Sequence, residues 1–341
     1  MPRPLSQHRG GLVAVAVLIV MGLVFPPFAP RQPWHATFLT YVVAIVLQAV
    51  PYLLLGAMIG AAIETFVPMR WLPKVARRLG PWGLPAMIVV APIFPTCECA
   101  VLGVGRGLLR RGLPLPHVVT YLIAAPILNP TVLASTWIAF ADPFPAVLRG
   151  VGGGTVALLV GWWVSTVSPA WCLRPRPLLT GFAAAPQSAV PLAAAPSPVA
   201  TVNTGTGWQA TGLRWCTTSL EHFLDLAGWF LIGVALAATL KTTIGTRVLE
   251  DLGSGLISGP VTMMITAIVL SLCAEADAFI AVSFTGFSLP ALLAFLVLGP
   301  MLDLKLILMY RSIFTVRFIA ALASAMLVLV SAYIAGLTFL L

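Results

Sequence analysis

Pro95-Thr-Cys-Glu-Cys99 is followed by Pro116 and then by Pro126-Ile-Leu-Asn129. Further on, Ser271-Leu-Cys-Ala-Glu-Ala-Asp277 is followed by Pro290 and then by Pro300-Met-Leu-Asp303. At a constant offset of 174 residues, Cys99 aligns with Cys273, Gly112 with Gly286, Pro116 with Pro290, Pro126 with Pro300 and Asn129 with Asp303. The 35 residues from Cys99 contain eight identities and need no gap. An internal repeat that keeps Cys, Pro and acidic residues inside apolar segments points to a transporter.

The chain around these motifs is written for lipid. Of its 341 residues, 60% are hydrophobic and 9% charged, and the mean hydropathy is +1.02. Soluble domains are about 45–50% apolar, and a membrane-spanning helix needs about 20 apolar residues. Candidate spans are 11–29, 37–66, 115–141, 146–168, 218–240, 288–310 and 318–341. Two further apolar stretches, 82–110 and 257–285, each carry a copy of the motif. The expected fold is therefore an all-α polytopic membrane protein. It has two structural repeats in inverted orientation, each with a re-entrant or broken motif segment and a proline-broken helix, plus one extra N-terminal helix.

The expected boundaries are an N-terminal transmembrane helix within 1–35, repeat 1 over 36–168, a disordered cytoplasmic linker over 169–215 and repeat 2 over 216–341. The linker assignment rests on Ala183-Ala-Ala-Pro-Gln-Ser-Ala-Val-Pro-Leu-Ala-Ala-Ala-Pro-Ser-Pro198, which has no amphipathic period and little apolar area with which to offset ordering entropy. Arg3, His8 and Arg9 precede the first apolar run, as in a secretory signal. That run continues to Pro26 without a small-x-small cleavage site, so an uncleaved helix is expected.

Charge argues the topology. The net charge of +9 resides in loops between spans, as the positive-inside bias predicts, and so does not indicate nucleic acid. Arg70, Lys74, Arg77 and Arg78 form one basic cluster, and Arg106, Arg110 and Arg111 another, with only 81–105 between them. A hairpin places both inside, with arms of about 13 residues, too short to cross alone. Its turn falls at Pro92-Ile-Phe-Pro95. With both motif segments as hairpins and the N-terminus cytoplasmic, 14 Lys and Arg lie inside. Four lie outside (Arg31, Arg149, Lys241, Arg247), and Lys305 is in a span; if both segments span, the split is 11 to 7. The hairpin arrangement makes the repeats inverted, with the site at their interface.

The candidate site follows from cost. Glu98, Glu275, Asp277 and Asp303 lie in apolar stretches, where a charge is expensive unless it faces a polar cavity or is protonated. Pro126 and Pro300 interrupt helices at corresponding places, each followed three residues later by Asn129 or Asp303, and irregular backbone at that depth marks a cavity. Cys97 and Cys99 bracket Glu98 at a helix break, where backbone N–H groups favour a thiolate, and thiolates favour soft metals and metalloids. With Cys273 they are the candidate metal contacts, against the alternative of packing at a turn; Cys172 and Cys216 read as small hydrophobes. Lys305 stands two positions from Asp303, so on a helix the two do not share a face and no direct ion pair is expected. His117 reads as a solvated, interfacial side chain. His222, one turn before Asp225, reads as a hydrogen-bonding or proton-moving residue of no assigned role. The Gly152-Gly-Gly154 run lacks the Lys-Ser/Thr of a phosphate loop and suits close helix packing.

With these residues in view, the chain resembles the predicted-permease family, which includes YraQ-like proteins and ArsP-type organoarsenical efflux permeases. Pro95-Thr-Cys-Glu-Cys99, Gly112, Pro114, Pro116 and Ala124-Ala-Pro-Ile-Leu-Asn-Pro130 carry the resemblance, and Leu298-Gly-Pro-Met-Leu-Asp303 agrees in the second half. The resemblance implies export of a small soft solute across the cell's inner (plasma) membrane by a multi-pass permease. Glu98 stands where the family usually has a small residue, and the second repeat keeps only Cys273. These departures shift the expected site toward a cation or a proton-coupled solute.

The reading is a secondary active permease, not an enzyme, that exports a metalloid, metal or other small solute in a proton-coupled cycle. Its implied partners are the lipid bilayer and a small-molecule or ion substrate. No cofactor and no nucleic acid are implied, and a homo-oligomer is compatible. The alternative is a membrane thiol–disulfide oxidoreductase that cycles Cys97 and Cys99, since a Cys-x-Cys disulfide closes a small, strained and reactive ring.

Overall fold

The computed structural model describes residues 33–68, 71–93, 97–173, 208–243, 258–270, 273–284 and 286–340. The expected helix at 11–29 and most of the 169–215 linker lie outside these residues. In chain order the helices are α1 (Pro33–Phe66), α2 (Trp71–Leu79), α3 (Gly83–Val90), α4 (Glu98–Arg110), α5 (Leu115–Ile127), α6 (Pro130–Phe140) and α7 (Pro143–Thr166). They continue with α8 (Pro169–Cys172), α9 (Trp208–Thr243), α10 (Ser258–Leu270), α11 (Ala274–Ser283), α12 (Leu289–Leu298), α13 (Leu304–Tyr310) and α14 (Val316–Leu340).

Among the described residues, five stretches are long and apolar enough to cross a membrane: Phe38–Phe66, Leu115–Phe140, Pro143–Thr166, Thr211–Thr239 and Val316–Phe339. The remaining apolar helices are short. Each expected motif segment is a pair of helices with a break between them, α3 and α4 in one half and α10 and α11 in the other. Each expected proline-broken helix is also a pair, α5 and α6, then α12 and α13. Leu39, Val43 and Leu47 of α1 and Val328 of α14 are exposed, as lipid-facing residues must be when no hydrophobic gain separates a leucine from its surroundings.

Glycine sets the closest approach in the bundle. Gly56 and Gly60 of α1 lie against Ala100, Gly103 and Gly107 of α4; a Cβ on Gly103 would sit 2.6 Å from the Gly56 carbonyl oxygen. Small residues four apart let two backbones touch, which is how helices associate in lipid. Gly103→Val is expected to push α4 off α1 at a cost of about 1–3 kcal/mol or more. The check is the fraction of monodisperse protein on gel filtration in detergent, with Val43→Leu on the lipid face as a control that leaves it unchanged.

The same contacts give direction. Gly56 meets Ala100 and Glu64 meets Arg110, so α4 runs parallel to α1. Beyond its end, Gly112 (φ +83°) faces Pro73, in the segment just after α1; a Cβ there would sit 3.2 Å from the proline ring. Pro73 and Gly112, which flank α3 and α4 in the chain, therefore lie at the same end of the bundle. The other motif segment behaves oppositely. Glu275 at the start of α11 bonds to Thr131 at the start of α6, and Phe284 at its end clusters with Ala139 and Phe140 at the end of α6. Since α6 continues α5 away from the first end, α11 heads for the second.

Helices α7 and α14 close the bundle and run antiparallel. Tyr333 donates to the Leu148 carbonyl at one end, and Phe318 stacks on Trp163 at the other. Gly152 and Gly153 accommodate Tyr333 and Ile127, as close packing requires, whereas Gly154 faces open space. The 169–215 stretch is structured at both edges. Cys172 is buried, Thr315 N–H donates to its carbonyl, and α9 begins at Trp208. Cys216 is exposed on α9. His117 corrects the expectation of a solvated ring: the residue is half-buried, and both ring nitrogens are buried without a hydrogen-bond partner, Nε2 being the ring atom nearest Gly83.

Candidate functional site

The motif residues are helix N-caps. Cys97 begins α4, Asn129 begins α6, Cys273 begins α11 and Asp303 begins α13. The first turn of any helix leaves N–H groups without partners. Two of the caps answer this with a side chain, Asn129 Oδ1 accepting from Thr131 N–H at 3.1 Å and Asp303 Oδ1 from Leu306 N–H at 2.6 Å. The two cysteines make no side-chain cap. Their extended backbones (φ −71°, ψ 168° and φ −78°, ψ 137°) turn the chain into α4 and α11, which then diverge toward opposite ends.

This corrects one pairing. Cys97, not Cys99, occupies the position that Cys273 occupies in the second half. Fifteen residues separate Cys97 from Gly112 and thirteen separate Cys273 from Gly286, so a gap-free alignment anchored on the glycines slips by two at the caps. Cys-x-Cys offers a cysteine in both registers, which hides the slip.

A cavity of about 40 Å³ lies at this junction, lined by Cys97, Glu98, Cys99, Cys273, Lys305 and, from α1, Gln48 and Tyr52. Lys305 is its cationic centre. Its Nζ lies 2.5 Å from Glu98 Oε1 and 3.2 Å from Asp303 Oδ2, and all three side chains are buried. The Lys305–Asp303 ion pair corrects the expectation that these residues could not meet. That expectation assumed both were helical; Asp303 is the N-cap (φ −125°, ψ 169°), and its extended backbone swings the carboxylate toward Lys305.

Arg149 needs a larger correction. Counted as an exterior charge, it is instead fully buried in α7, donating to Thr136 Oγ1 at 2.7 Å and to the Ala274 carbonyl at 3.2 Å. It thereby ties α7 to the first residue of α11 and interacts electrostatically with Asp277 and Glu98. The helix begins at Pro143, where Asp142 caps Phe144 N–H at 2.9 Å, so Arg149 is nearly two turns inside.

The other expected site residues surround this centre. Thr131 Oγ1 lies 2.9 Å from both Asn129 Oδ1 and Glu275 Oε1, joining the two halves. Asp277 is buried on α11, with Oδ2 3.1 Å from where a Cβ on Gly299 would project, so glycine at 299 leaves room for the carboxylate. Pro126 lies in the last turn of α5, and Pro300 lies in the turn between α12 and α13. The ten residues thus do not share one pocket. Cys97, Glu98, Cys99 and Cys273 line the cavity, Asp303 reaches it through Lys305, and the rest brace the breaks. Among the described residues no group of three or more His, Cys, Asp or Glu side chains is arranged to hold a metal ion, so the three cysteines do not form a preassembled metal set. All five cysteines are free thiols.

Gln48, Tyr52, Lys305, Arg149 and Thr131 were absent from the sequence-based site. Gln48 and Tyr52 carried a signal, being polar residues one helical turn apart in an otherwise apolar span. A second ionic cluster was also missed. Glu64 accepts from Arg110 at 2.9 Å and meets His222 at 3.0 Å; Arg106 bonds to Asp225 at 3.0 Å and to the Ser312 carbonyl at 3.3 Å. His222 is therefore engaged across the bundle with Glu64, not along its own helix with Asp225. These contacts fasten the far end of α4 to α1, α9 and the turn before α14.

Comparison with known proteins places this architecture. The profile of the family described as "Predicted permease" (ArsP_1) matches residues 34–340. The UPF0718 protein YcgR of Bacillus subtilis is 32% identical over 294 residues, covering 85% of this chain and 93% of that protein. A Streptococcus mutans protein provisionally named a subunit of a two-component membrane permease complex is 28% identical over 301 residues, covering 86% of this chain and 93% of that protein. No solved structure matches. A profile match from α1 to the end of α14, and a relative above 30% identity aligned over nearly its full length, agree on one assignment: the chain belongs to the predicted permease family.

Proposed function

We propose that the protein is a secondary active permease whose substrate binds in the cavity between the caps of α4 and α11. The observation that carries this reading is the meeting of two half-helices that run to opposite ends of the bundle, at a cavity lined by a lysine, a carboxylate and three thiols. Discontinuous helices meeting near mid-membrane are the usual form of a transport site. The two halves act as inverted repeats, and motion of the two hairpins against the long helices gives access from alternate sides. Cys97, Cys99 and Cys273 contact a soft metal, metalloid or other small solute. Glu98, Glu275, Asp277 and Asp303 balance charge or carry protons, and Asn129, Pro126 and Pro300 shape the breaks.

The end of the bundle carrying Lys74, Arg77, Arg78, Arg110, Arg111 and Arg311 is cytoplasmic by the positive-inside bias. On this reading the 169–215 linker is cytoplasmic and the protein exports its substrate across the plasma membrane. The Streptococcus mutans relative's name makes a second subunit a natural partner. The test is uptake of trivalent arsenicals, divalent metals and small anions into inverted vesicles, with and without a proton gradient. We expect gradient-stimulated uptake of one class, reduced about tenfold or more (~1.4 kcal/mol) when Cys97 and Cys99 are both changed to Ser. Uptake that survives this change but is abolished by Glu275→Gln removes both the thiol contact and the thiol–disulfide alternative.

A further inference from the structure

At the basic end of the bundle, side chains from three helices meet in a triangle. Glu64 Oε2 of α1 lies 2.9 Å from Arg110 Nη1 of α4, and His222 Nε2 of α9 lies 3.0 Å from each of them. One ring nitrogen therefore faces a donor and an acceptor at the same distance. Without a proton it accepts from Arg110 and offers Glu64 nothing. With a proton it donates to Glu64 and confronts the guanidinium N–H. The other ring nitrogen, Nδ1, is buried beside Gly60 with no hydrogen-bond partner, so nothing there fixes the tautomer. Two arrangements of this contact differ by the place of a single proton.

Charge decides which arrangement holds the helices together. Glu64–Arg110 and Arg106–Asp225 are two balanced ion pairs. With the ring neutral, Arg110 bonds to both α1 and α9. A proton taken up by the ring makes an imidazolium, one extra positive charge buried beside Arg110 and within electrostatic reach of Arg106. Both ring nitrogens then donate, so Arg110 loses its acceptor on α9 while Glu64 gains a donor. The ring is fully buried, whereas Glu64 and Arg110 are each 20% exposed, so a proton from water reaches the ring by way of Glu64. We infer that His222 is a proton-responsive latch: neutral, it holds the end of α4 to α9; protonated, it turns to Glu64 and releases Arg110.

The groups facing the ring are Glu64 from α1 and Arg106 and Arg110 from α4, with Arg111 just beyond acting on Glu64. On α9 itself, Glu221 and Asp225 are the nearest ionisable neighbours in the chain. Helix α13 carries Tyr310 and Lys305, which lies against Gly233 three turns further along α9, and Arg311 after it sits over the Trp229 ring. Helix α10 has no ionisable side chain. Cations thus crowd the α4 side of the ring, and a further positive charge there acts against the α4–α9 contact. Release of Arg110 frees the last turns of the helix that Cys97 begins. The latch stands whether or not the cavity at Cys97 is the transport site.

Hydrogen exchange reads the latch without a substrate. The full chain in lipid nanodiscs is compared at about pH 5 and about pH 8, either side of the range in which imidazole changes charge. Exchange of the backbone amides of residues 104–111 is corrected for the intrinsic effect of pH. We expect it to be about tenfold faster or more at the acidic pH, as loss of a hydrogen bond to a charged group implies. His222→Gln keeps a neutral acceptor for Arg110 and a donor for Glu64, so its exchange should stay slow at both. Arg110→Gln lacks the group that is released and should exchange fast at both, which serves should the first variant fold poorly. Equal rates in the wild-type chain overturn the latch. Acid acceleration that persists in either variant also overturns it, by assigning the effect to another group. Fast exchange at both pH values in folded His222→Gln does the same, because the ring is then purely structural.

Discussion

Lys305→Met is expected to destabilise the protein by about 3–5 kcal/mol, because removing one partner of a buried ionic group leaves the others charged and uncompensated. Lys305 is the shared partner of Glu98 and Asp303, and none of the three side chains is more than 5% exposed. Methionine fills a similar volume, so little of the loss comes from packing. The measurement is thermal unfolding in detergent, which should show a large fall in Tm. Adding Glu98→Gln and Asp303→Asn to Lys305→Met should recover most of it, since the charges are then gone and asparagine still caps α13 at Leu306. A fall that the added substitutions do not reverse would mean that Lys305 acts through packing.

Arg149→Met should be comparably damaging, again about 3–5 kcal/mol. The guanidinium is fully buried, spans from the Thr136 hydroxyl to the Ala274 carbonyl, and compensates the Asp277 charge. Its loss strips a hydrogen bond from the first turn of α11 as well as a charge. Arg149→Lys should rescue little, because a single ammonium cannot reproduce a planar fork that reaches two acceptors at once. Chemical denaturation of the two variants side by side provides the check; full rescue by lysine would reduce the role of Arg149 to charge alone.

Much of the architecture was legible because lipid makes the grammar strict. Long apolar runs became helices, and prolines flanked by polar residues marked the breaks. The charge count favours having the two arginine clusters that flank 81–105 on one side, and Gly112 lies against Pro73. The acids also signalled themselves, because a carboxylate in an apolar stretch has few affordable locations.

What escaped the sequence escaped for identifiable reasons. Arg149 looked like a loop charge because it stands near the edge of an apolar run, yet the Asp142 cap starts α7 seven residues earlier. Helical spacing separates Lys305 from Asp303, but it does not apply when Asp303 is an extended cap. Cys99 took the place of Cys97 in the alignment because the two motif segments differ in length by two residues. The Glu64–Arg110–His222 cluster joins positions as much as 158 residues apart, and no local pattern encodes that meeting. In each case a partner came from elsewhere in the bundle or from backbone geometry at a break.

The central claim is that the cavity between the caps of α4 and α11 is the point that each side of the membrane reaches in turn. It is tested most directly with a variant retaining Cys97 as its single cysteine, in sealed vesicles of known orientation. Labelling of Cys97 by a membrane-impermeant maleimide is followed with reagent on one side only, then on the other. The account predicts reaction from both sides, each slowed in a second variant that carries two further cysteines at 106 and 225, cross-linked before labelling to lock the bundle. Reaction from one side alone, or from neither, would contradict it.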